Sequence, residues 1–470
     1  MTRAVLQRSR DFVRAGIPGV DVLTFDEFEG YDRLESDLRS RGELSAGVRL
    51  VNLWDWLRTS APLTDASPDV TSFSPLGSGV PVVGRTRTRL ADDGITVLQV
   101  DHLRDDGSLL VSDRRDVESP GIHGGRSVVL CDPTDRPVRS WASIWGLYRF
   151  WLDRLRAGRP AIMIVDSKTS ARFMATYRRP DVLTVHVVHG SHLEGDVRPI
   201  APLRATRAET FQALEKFDRV VVLSSRQRDD IRTLLGPTPN VIVVPISIDL
   251  PRAADARRRR PMTSGIMLSS LIPRKRVDHA IEAVRGTSVT LDVFGTGGER
   301  DRLESLAEQT GGLVRLAGHD PRARSGLRDR GFLLLTSVSE GLPLVLAEAM
   351  AAGCVPIAYD IPYGPADIIR DRDNGVLVDS GDIAGLRDAI AWLGTRSARE
   401  LRALRRAARR TAESYGSEVV TRRWLDELSE AWDEKVPPAP RRGVTSRVRS
   451  RARRTLRPIA ARVRHLVGAP

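Results

Sequence analysis

Two glutamates eight residues apart stand in the segment Ser337-Val338-Ser339-Glu340-Gly341-Leu342-Pro343-Leu344-Val345-Leu346-Ala347-Glu348. The apolar run from Phe332 to Leu335 predicts a buried strand, Glu340 and Gly341 fall in the turn after it, and Pro343 suits the first turn of a helix. The amino end of such a helix offers free backbone N–H groups and about half a positive charge, which favours a diphosphate. Eight residues make a little over two turns at about 3.6 residues per turn, so Glu340 meets the head of an elongated ligand while Glu348 reaches along its length. A sugar nucleotide has that shape. The plain alternative makes Glu340 a loop residue and Glu348 a solvated helix position.

The elements that must position these groups alternate between strand and helix in the manner of doubly wound α/β domains. The N-terminal half offers buried strands at Val20–Leu23, Val48–Leu53, Ala161–Val165, Val182–Val188, Arg219–Leu223 and Val241–Val244. The C-terminal half repeats the plan at Gly265–Leu268, Val289–Phe294, Val314–Leu316, Gly331–Leu335, Val355–Ala358 and Gly375–Val378, and the two halves join near Pro251 to Arg260. Between Ser72 and Pro137 the pattern turns antiparallel: Ile95 to Val100 and Ser108 to Val111 flank Asp105-Asp106-Gly107, a hairpin turn signal. The aromatic stretch Ser143 to Leu152 has helical spacing and reads as core packing rather than a membrane-facing face.

Two further segments carry chemistry. Val187-Val188-His189-Gly190-Ser191-His192-Leu193 follows a β-branched strand, and a histidine at a strand's carboxyl end sits where open α/β sheets bind ligands, although a satisfied loop or core histidine is the commoner case. Gly295-Thr296-Gly297-Gly298 follows the strand ending at Phe294 and lets backbone approach a ligand closely. His186, inside its strand, reads as structural.

The glutamate segment, with Pro356-Ile357-Ala358-Tyr359-Asp360-Ile361-Pro362-Tyr363-Gly364-Pro365-Ala366-Asp367-Ile368-Ile369 and Asn374-Gly375, resembles the donor site of retaining family-4 glycosyltransferases of the GT-B fold. Its Tyr-Gly-Pro-x-Asp-Ile-Ile stretch is similar to the branch that glycosylates poly(glycerol phosphate) or poly(ribitol phosphate), the wall teichoic acid polymers. The resemblance implies an α/β chain with two Rossmann-like domains facing a cleft and a β-rich insertion in the first. The domains would be residues 1–71 with 138–252 on the acceptor side, 72–137 as the insertion, 253–412 for the nucleotide sugar, 413–436 as a helix crossing back, and 437–470 as a basic tail. It implies a hexosyltransferase moving a glucose- or N-acetylglucosamine-type sugar, carried on uridine diphosphate, to a hydroxyl with retention.

By the same resemblance Glu340, His189 and Lys275 are the catalytic set, with Lys275 and the Gly341-Leu342-Pro343 helix start taking leaving-group charge. Glu340 holds sugar hydroxyls, His189 meets the transferring sugar or the acceptor, and His192 stands second on the acceptor side. Glu348 meets the ribose, Gly295 and Gly297 line the donor, and Arg274 and Arg276 flank Lys275. No metal or other cofactor is implied. The expected partners are the nucleotide-sugar donor and a polyanionic or lipid-linked glycan acceptor, with homo-oligomer formation through the insertion. Two departures stand out: the family's arginine, five positions before the lysine, is Ser270 here, and the family's first strand and Gly-Gly turn are absent before the Met1–Arg10 segment, so the true start is expected upstream. These departures keep open a second reading, a catalytically decayed GT-B binding protein. A sugar-nucleotide epimerase of the same architecture fits less well with the Glu340–Glu348 segment.

A chain of 470 residues with 41% hydrophobic and 5% aromatic residues has ample core for such domains. Cys131 and Cys354 alone support neither a disulfide framework nor a zinc site, which suits a reducing cytosol. No run approaches the roughly 20 apolar residues of a membrane span, and no signal-like stretch opens the chain, so a cytoplasmic protein is expected. The net charge of +13 is concentrated at one end: residues 441–470 hold ten arginines and no acid. Following Pro437-Pro438-Ala439-Pro440, the apolar Val444, Val448, Leu456, Ile459, Val463, Leu466 and Val467 recur at loosely helical spacing. Residues 441–467 therefore read as a basic amphipathic helix for an anionic membrane surface, as a solvated tail, or as an attractor of a polyanionic acceptor. Nucleic acid is not expected, because aromatics are not interleaved with the charge.

Overall fold

A computed structural model describes residues 3–60, 73–194, 202–251 and 260–436. The Pro437–Pro440 linker, the basic tail 441–470 and the interior of the 251–260 junction lie outside the described residues. The chain forms two compact units that divide near Ala161.

The first unit opens with the helix Arg3–Arg14 and carries a two-stranded parallel sheet, β1 (Val20–Thr24) beside β2 (Val48–Asn52). Its larger part is an antiparallel meander of β3 (Val82–Val83), β4 (Thr86–Leu90), β5 (Val97–Leu103), β6 (Leu109–Arg114), β7 (Ser127–Cys131) and β8 (Pro137–Trp141), paired in sequence order. Its hairpins turn on Asp-Asp-Gly: Gly94 and Gly107 take positive φ of 67° and 82°, and the Asp93 and Asp106 carboxylates accept backbone N–H groups two residues on. The sheet differs from expectation at two points. Ile95 belongs to the turn, 83% exposed, and β8 runs on to Trp141. The helix Ile144–Arg156 then buries Leu147, Phe150, Trp151 and Leu152, as its aromatic spacing predicts.

The second unit holds two parallel sheets. One has the order β12-β11-β10-β9, from β9 (Ala161–Val165), β10 (Val182–Val188), β11 (Arg219–Val222) and β12 (Val241–Val243). This sheet is separate from the β1–β2 pair of the first unit. The other sheet has six parallel strands in the order β15-β14-β13-β16-β17-β18: β13 (Ser264–Leu268), β14 (Thr290–Phe294), β15 (Val314–Gly318), β16 (Phe332–Leu335), β17 (Val355–Asp360) and β18 (Val376–Asp379). Continuous apolar runs such as Phe332–Leu335 are buried at every position because helices cover both faces. The strand order reverses between β13 and β16, and it is at such a reversal, beyond the carboxyl ends of the strands, that open α/β sheets form their binding crevice.

The helix Ser417–Lys435 packs back on the four-stranded sheet. Lys435 pairs with Asp218 at 2.8 Å, Arg219 with Glu434 at 2.8 Å, and the Ile248 N–H donates to the Tyr415 carbonyl. Among the described residues no helix is long and apolar enough to cross a membrane.

Within β10, His186 is 1% exposed and its Nδ1 lies 3.0 Å from the Val165 carbonyl of β9. Burial pushes its imidazole down to about 4, while the carbonyl contact works in the opposite direction. Because the folded value lies below the unfolded value near 6.5, the stabilisation is whole above that pH and is lost as pH falls toward 4. Acidification from pH 7 to pH 5 is therefore expected to lower the unfolding free energy obtained from denaturant titration, by up to about 1.4 kcal/mol per pH unit, and His186→Gln should flatten this part of the profile. An unchanged slope in the variant would show that other groups carry the dependence.

Candidate active site

The loop after β13 and the loop after β16 meet at the crevice. The first runs from Ser269 through a 3-10 turn at Pro273–Lys275 to Arg276, which takes left-handed backbone angles and starts the helix Val277–Val284. Backbone bonds stitch the two loops: the Val338 N–H donates to the Arg274 carbonyl at 2.9 Å, and the Thr336 hydroxyl donates to the Lys275 and Arg276 carbonyls at 2.9 and 2.7 Å. With both loops fixed, the Lys275 ammonium reaches the Glu340 carboxylate and forms an ion pair. The two side chains are 17% and 15% exposed, shielded enough for the charges to feel each other and open enough for a ligand. Arg274 donates to the Ser339 carbonyl at 2.6 Å and stands 4.0 Å from Glu340.

Glu340 is held through its backbone as well. Its N–H donates to the Pro362 carbonyl and its carbonyl accepts from the Tyr363 N–H, both at 3.1 Å. Gly341 and the buried Leu342 and Pro343 lead into the helix Leu344–Ala352, whose amino end receives no side-chain cap. The uncapped helix start thus follows Glu340, the partner of Lys275, by four residues. Glu348, on this helix, bonds Arg324 at 2.9 Å.

Gly341 has no room for a side chain. A Cβ there would stand 2.0 Å from the His189 carbonyl oxygen and 3.1 Å from the Gly190 Cα. This close approach brings the loop after β10 against the loop after β16, and so sets His189 beside Glu340 and its helix. Gln227 fixes the other side of the histidine loop by donating to the Gly190 carbonyl at 3.0 Å. The His189 Nε2 lies 2.6 Å from an Asp166 carboxylate oxygen at the end of β9, which orients the ring. Gly295 and Gly297 are equally constrained: added Cβ atoms would meet the Ser269 and Leu271 carbonyl oxygens at 1.7 and 2.1 Å. The glycine loop therefore packs directly on the loop after β13.

His192 departs from expectation. Its ring is fully buried and stacked between Phe211 at 5.3 Å and Tyr363 at 5.6 Å, so it packs the inner wall and does not stand open toward an acceptor. Tyr363 in turn donates to Asp230 at 2.7 Å. Arg276 keeps its place beside Lys275, and Ser270 is exposed and uncharged at the rim. Sequence reading missed three residues. Asp166 follows an apolar strand, a signal that the same strand-end argument could have used. Arg324 and Arg207 had none. Arg207 places a guanidinium nitrogen 3.4 Å from where a Gly190 Cβ would lie, and it has no carboxylate partner among the described residues. Burial, with a smaller contribution from the neighbouring Arg204, holds its pKa below the ordinary arginine value. Among the described residues no group of three or more His, Cys, Asp or Glu side chains is placed to hold a metal ion.

The family model of glycosyl transferases group 1 matches residues 263–411, which contain this crevice, and that of the glycosyl transferase 4-like domain matches residues 77–247, which contain His189. The chain belongs to the glycosyltransferases of the GT-B fold. A poly(ribitol-phosphate) alpha-N-acetylglucosaminyltransferase of Staphylococcus aureus (strain COL) is 20% identical over 91% of this chain and 96% of its own length. A poly(glycerol-phosphate) alpha-glucosyltransferase of Bacillus subtilis (strain 168) is 24% identical over 53% of this chain and 38% of its own. The crystal structure of a mutant Staphylococcus aureus TarM in complex with fondaparinux, alpha-GlcNAc-glycerol and UDP shares the fold, with a TM-score of 0.65 at 19% identity, covering 91% of this chain and 96% of that one.

The crowding at the glycines makes a steric prediction for this glycosyltransferase. Gly341→Ala and Gly297→Ala should each lower turnover by about 10-fold or more, since displacements near 1 Å misplace catalytic groups. Gly298→Ala, where an added Cβ meets nothing within 4 Å, should leave turnover near wild type. Steady-state rates of the three variants check this; equal losses at all three positions would show that the glycines act by flexibility rather than by close approach.

Proposed function

We propose that this glycosyltransferase moves a glucose- or N-acetylglucosamine-type hexose from a uridine diphosphate sugar to a hydroxyl of a polyol-phosphate polymer, with retention at the anomeric carbon. The observation that carries the reading is the meeting of Lys275 and Glu340 at the strand-order reversal, beside an uncapped helix amino end. The activities of the two relatives and the UDP in the related crystal structure support the donor and acceptor classes.

In this reading the diphosphate displaces Glu340 from Lys275. The ammonium and the N–H groups at the start of the Leu344–Ala352 helix then face the charge that develops on the leaving group, where preorganised donors lower the barrier most. Glu340, freed from the cation, accepts hydrogen bonds from sugar hydroxyls. Glu348 turns toward the ribose, and the packed Gly295–Gly298 loop presents backbone to the donor. His189, oriented by Asp166, stands on the acceptor side, where Arg207 offers an unpaired cation to an acceptor phosphate. Arg274 supplies the second positive charge that Ser270 cannot. The chemistry as proposed asks for no metal. The protein works in the cytoplasm, where its nucleotide-sugar donor is made; the basic segment 441–467 holds it on an anionic membrane surface, and the insertion joins copies of the chain.

Incubation with a panel of nucleotide sugars and an oligo(glycerol phosphate) acceptor should release UDP, with GDP sugars inactive. Lys275→Ala and Glu340→Ala should each cost about 10²-fold or more in turnover. Undiminished turnover in either variant, or exclusive use of a GDP sugar, would contradict the proposal.

A further inference from the structure

A second feature of the first unit lies outside the crevice. Where β8 passes into the helix Ile144–Arg156, an open groove of about 450 Å³ is lined by Arg139, Trp141, Gly146, Arg149, Phe150, Asp153 and Arg154. Three arginines face one aspartate, so the lining carries a net positive charge. Its construction is specific. Trp141 packs against Gly146, where an added Cβ would meet its Cδ1 at 2.4 Å and its Cβ at 2.6 Å, so only glycine leaves room for the side chain. One helical turn on, Phe150 packs against Trp141 at 5.5 Å. Arg139 and Arg154 then stand over the Phe150 ring, their guanidinium carbons 5.2 and 5.5 Å from its centroid. Stacking of this kind holds a guanidinium plane in place and lowers the ordering cost when it meets a phosphate.

Neither Arg139 nor Arg154 has a carboxylate partner within ion-pair distance among the described residues, and the Arg139 Nε is buried without an acceptor among them. Four other arginines on or beside this sheet are neutralised, Arg89 and Arg114 by Asp116 and Arg115 and Arg126 by Asp113, whereas the buried Arg87 Nε, like that of Arg139, meets no acceptor among the described residues. A pair of pre-stacked, uncompensated arginines over an aromatic floor is a receptor for an anion attached to an apolar or polyol stem.

We propose that this groove is a second binding site for the phosphate-polyol chain of the acceptor, holding phosphates of the polymer that the enzyme glycosylates. The proposal rests on the acceptor class given above. It predicts that the enzyme prefers long acceptors to short ones, because a second foothold raises the local concentration of the chain.

The test uses the full chain and two synthetic probes, glycerol phosphate and an oligo(glycerol phosphate) of about ten units. Arg139→Ala with Arg154→Ala should weaken binding of the long probe about 10-fold or more. It should also flatten the salt dependence of that binding by about two charges, by analogy with counterion release from other phosphate polymers. Turnover on glycerol phosphate should stay at the wild-type rate, which also shows that the variant is folded. Arg139→Lys with Arg154→Lys keeps charge but loses the planar stack, and should restore only part of the affinity. Unchanged affinity and salt slope in the alanine variant would overturn the proposal. Binding of the long probe that depends on both arginines, in a protein that transfers no sugar to it, would support the groove while removing the proposed function.

Discussion

The architecture of the site depends on one contact between backbones: Gly341 lying against the His189 carbonyl and the Gly190 Cα. It joins a loop at the carboxyl end of one parallel sheet to a loop at the carboxyl end of another. A side chain at position 341 would push the loops apart, and with them the histidine, the glutamate and the uncapped helix. Around this contact the chain places bonds that resist separation. Gln227 holds Gly190, Tyr363 bonds both Glu340 and Asp230, Arg226 reaches Asp360 at 2.8 Å, and the Asp367 carboxylate accepts the Ser225 N–H at 2.8 Å. The inner wall is closed by stacked rings of Phe211, His192 and Tyr363.

The electrostatics of the crevice follow from this packing. Lys275 and Glu340 come from loops 65 residues apart in sequence and face each other only because β13 and β16 are neighbours in the sheet. Each neutralises the other. In the proposed function, a diphosphate beside the helix amino end is the stronger partner for the lysine and leaves the carboxylate for hydroxyl groups. Glu348 and Arg324 repeat the arrangement one helical stretch further along. In the proposed function these two pairs are the contacts for an elongated, doubly anionic ligand.

Much of this was legible in the sequence because parallel strands buried on both faces leave continuous apolar runs. The strands around Phe332–Leu335 and Val182–Val188 needed only that signal, and the chemistry-bearing residues follow them within a few positions. Glycines were legible as punctuation, but the reason for Gly341 and Gly297 was not, since it lies in carbonyl groups from distant loops. Pairings were hidden for the same reason. Nothing local marks Asp166 as the partner of His189 or Arg324 as the partner of Glu348. His192 misled because its position in the motif suggested an open face, whereas burial between two aromatics is decided by Tyr363, 171 positions downstream. In the insertion, Asp-Asp-Gly placed the turns, while the stacked arginines over Phe150 depend on Gly146 accommodating a tryptophan from β8.

The central claim is that a diphosphate takes Lys275 from Glu340 at the amino end of the Leu344–Ala352 helix. A crystal structure of the full chain with bound UDP tests it most directly. The account predicts phosphate oxygens within hydrogen-bond distance of Lys275 and the first N–H groups of that helix, with Glu340 released from the ammonium. UDP bound elsewhere in the molecule, with the Lys275–Glu340 pair intact, would contradict it.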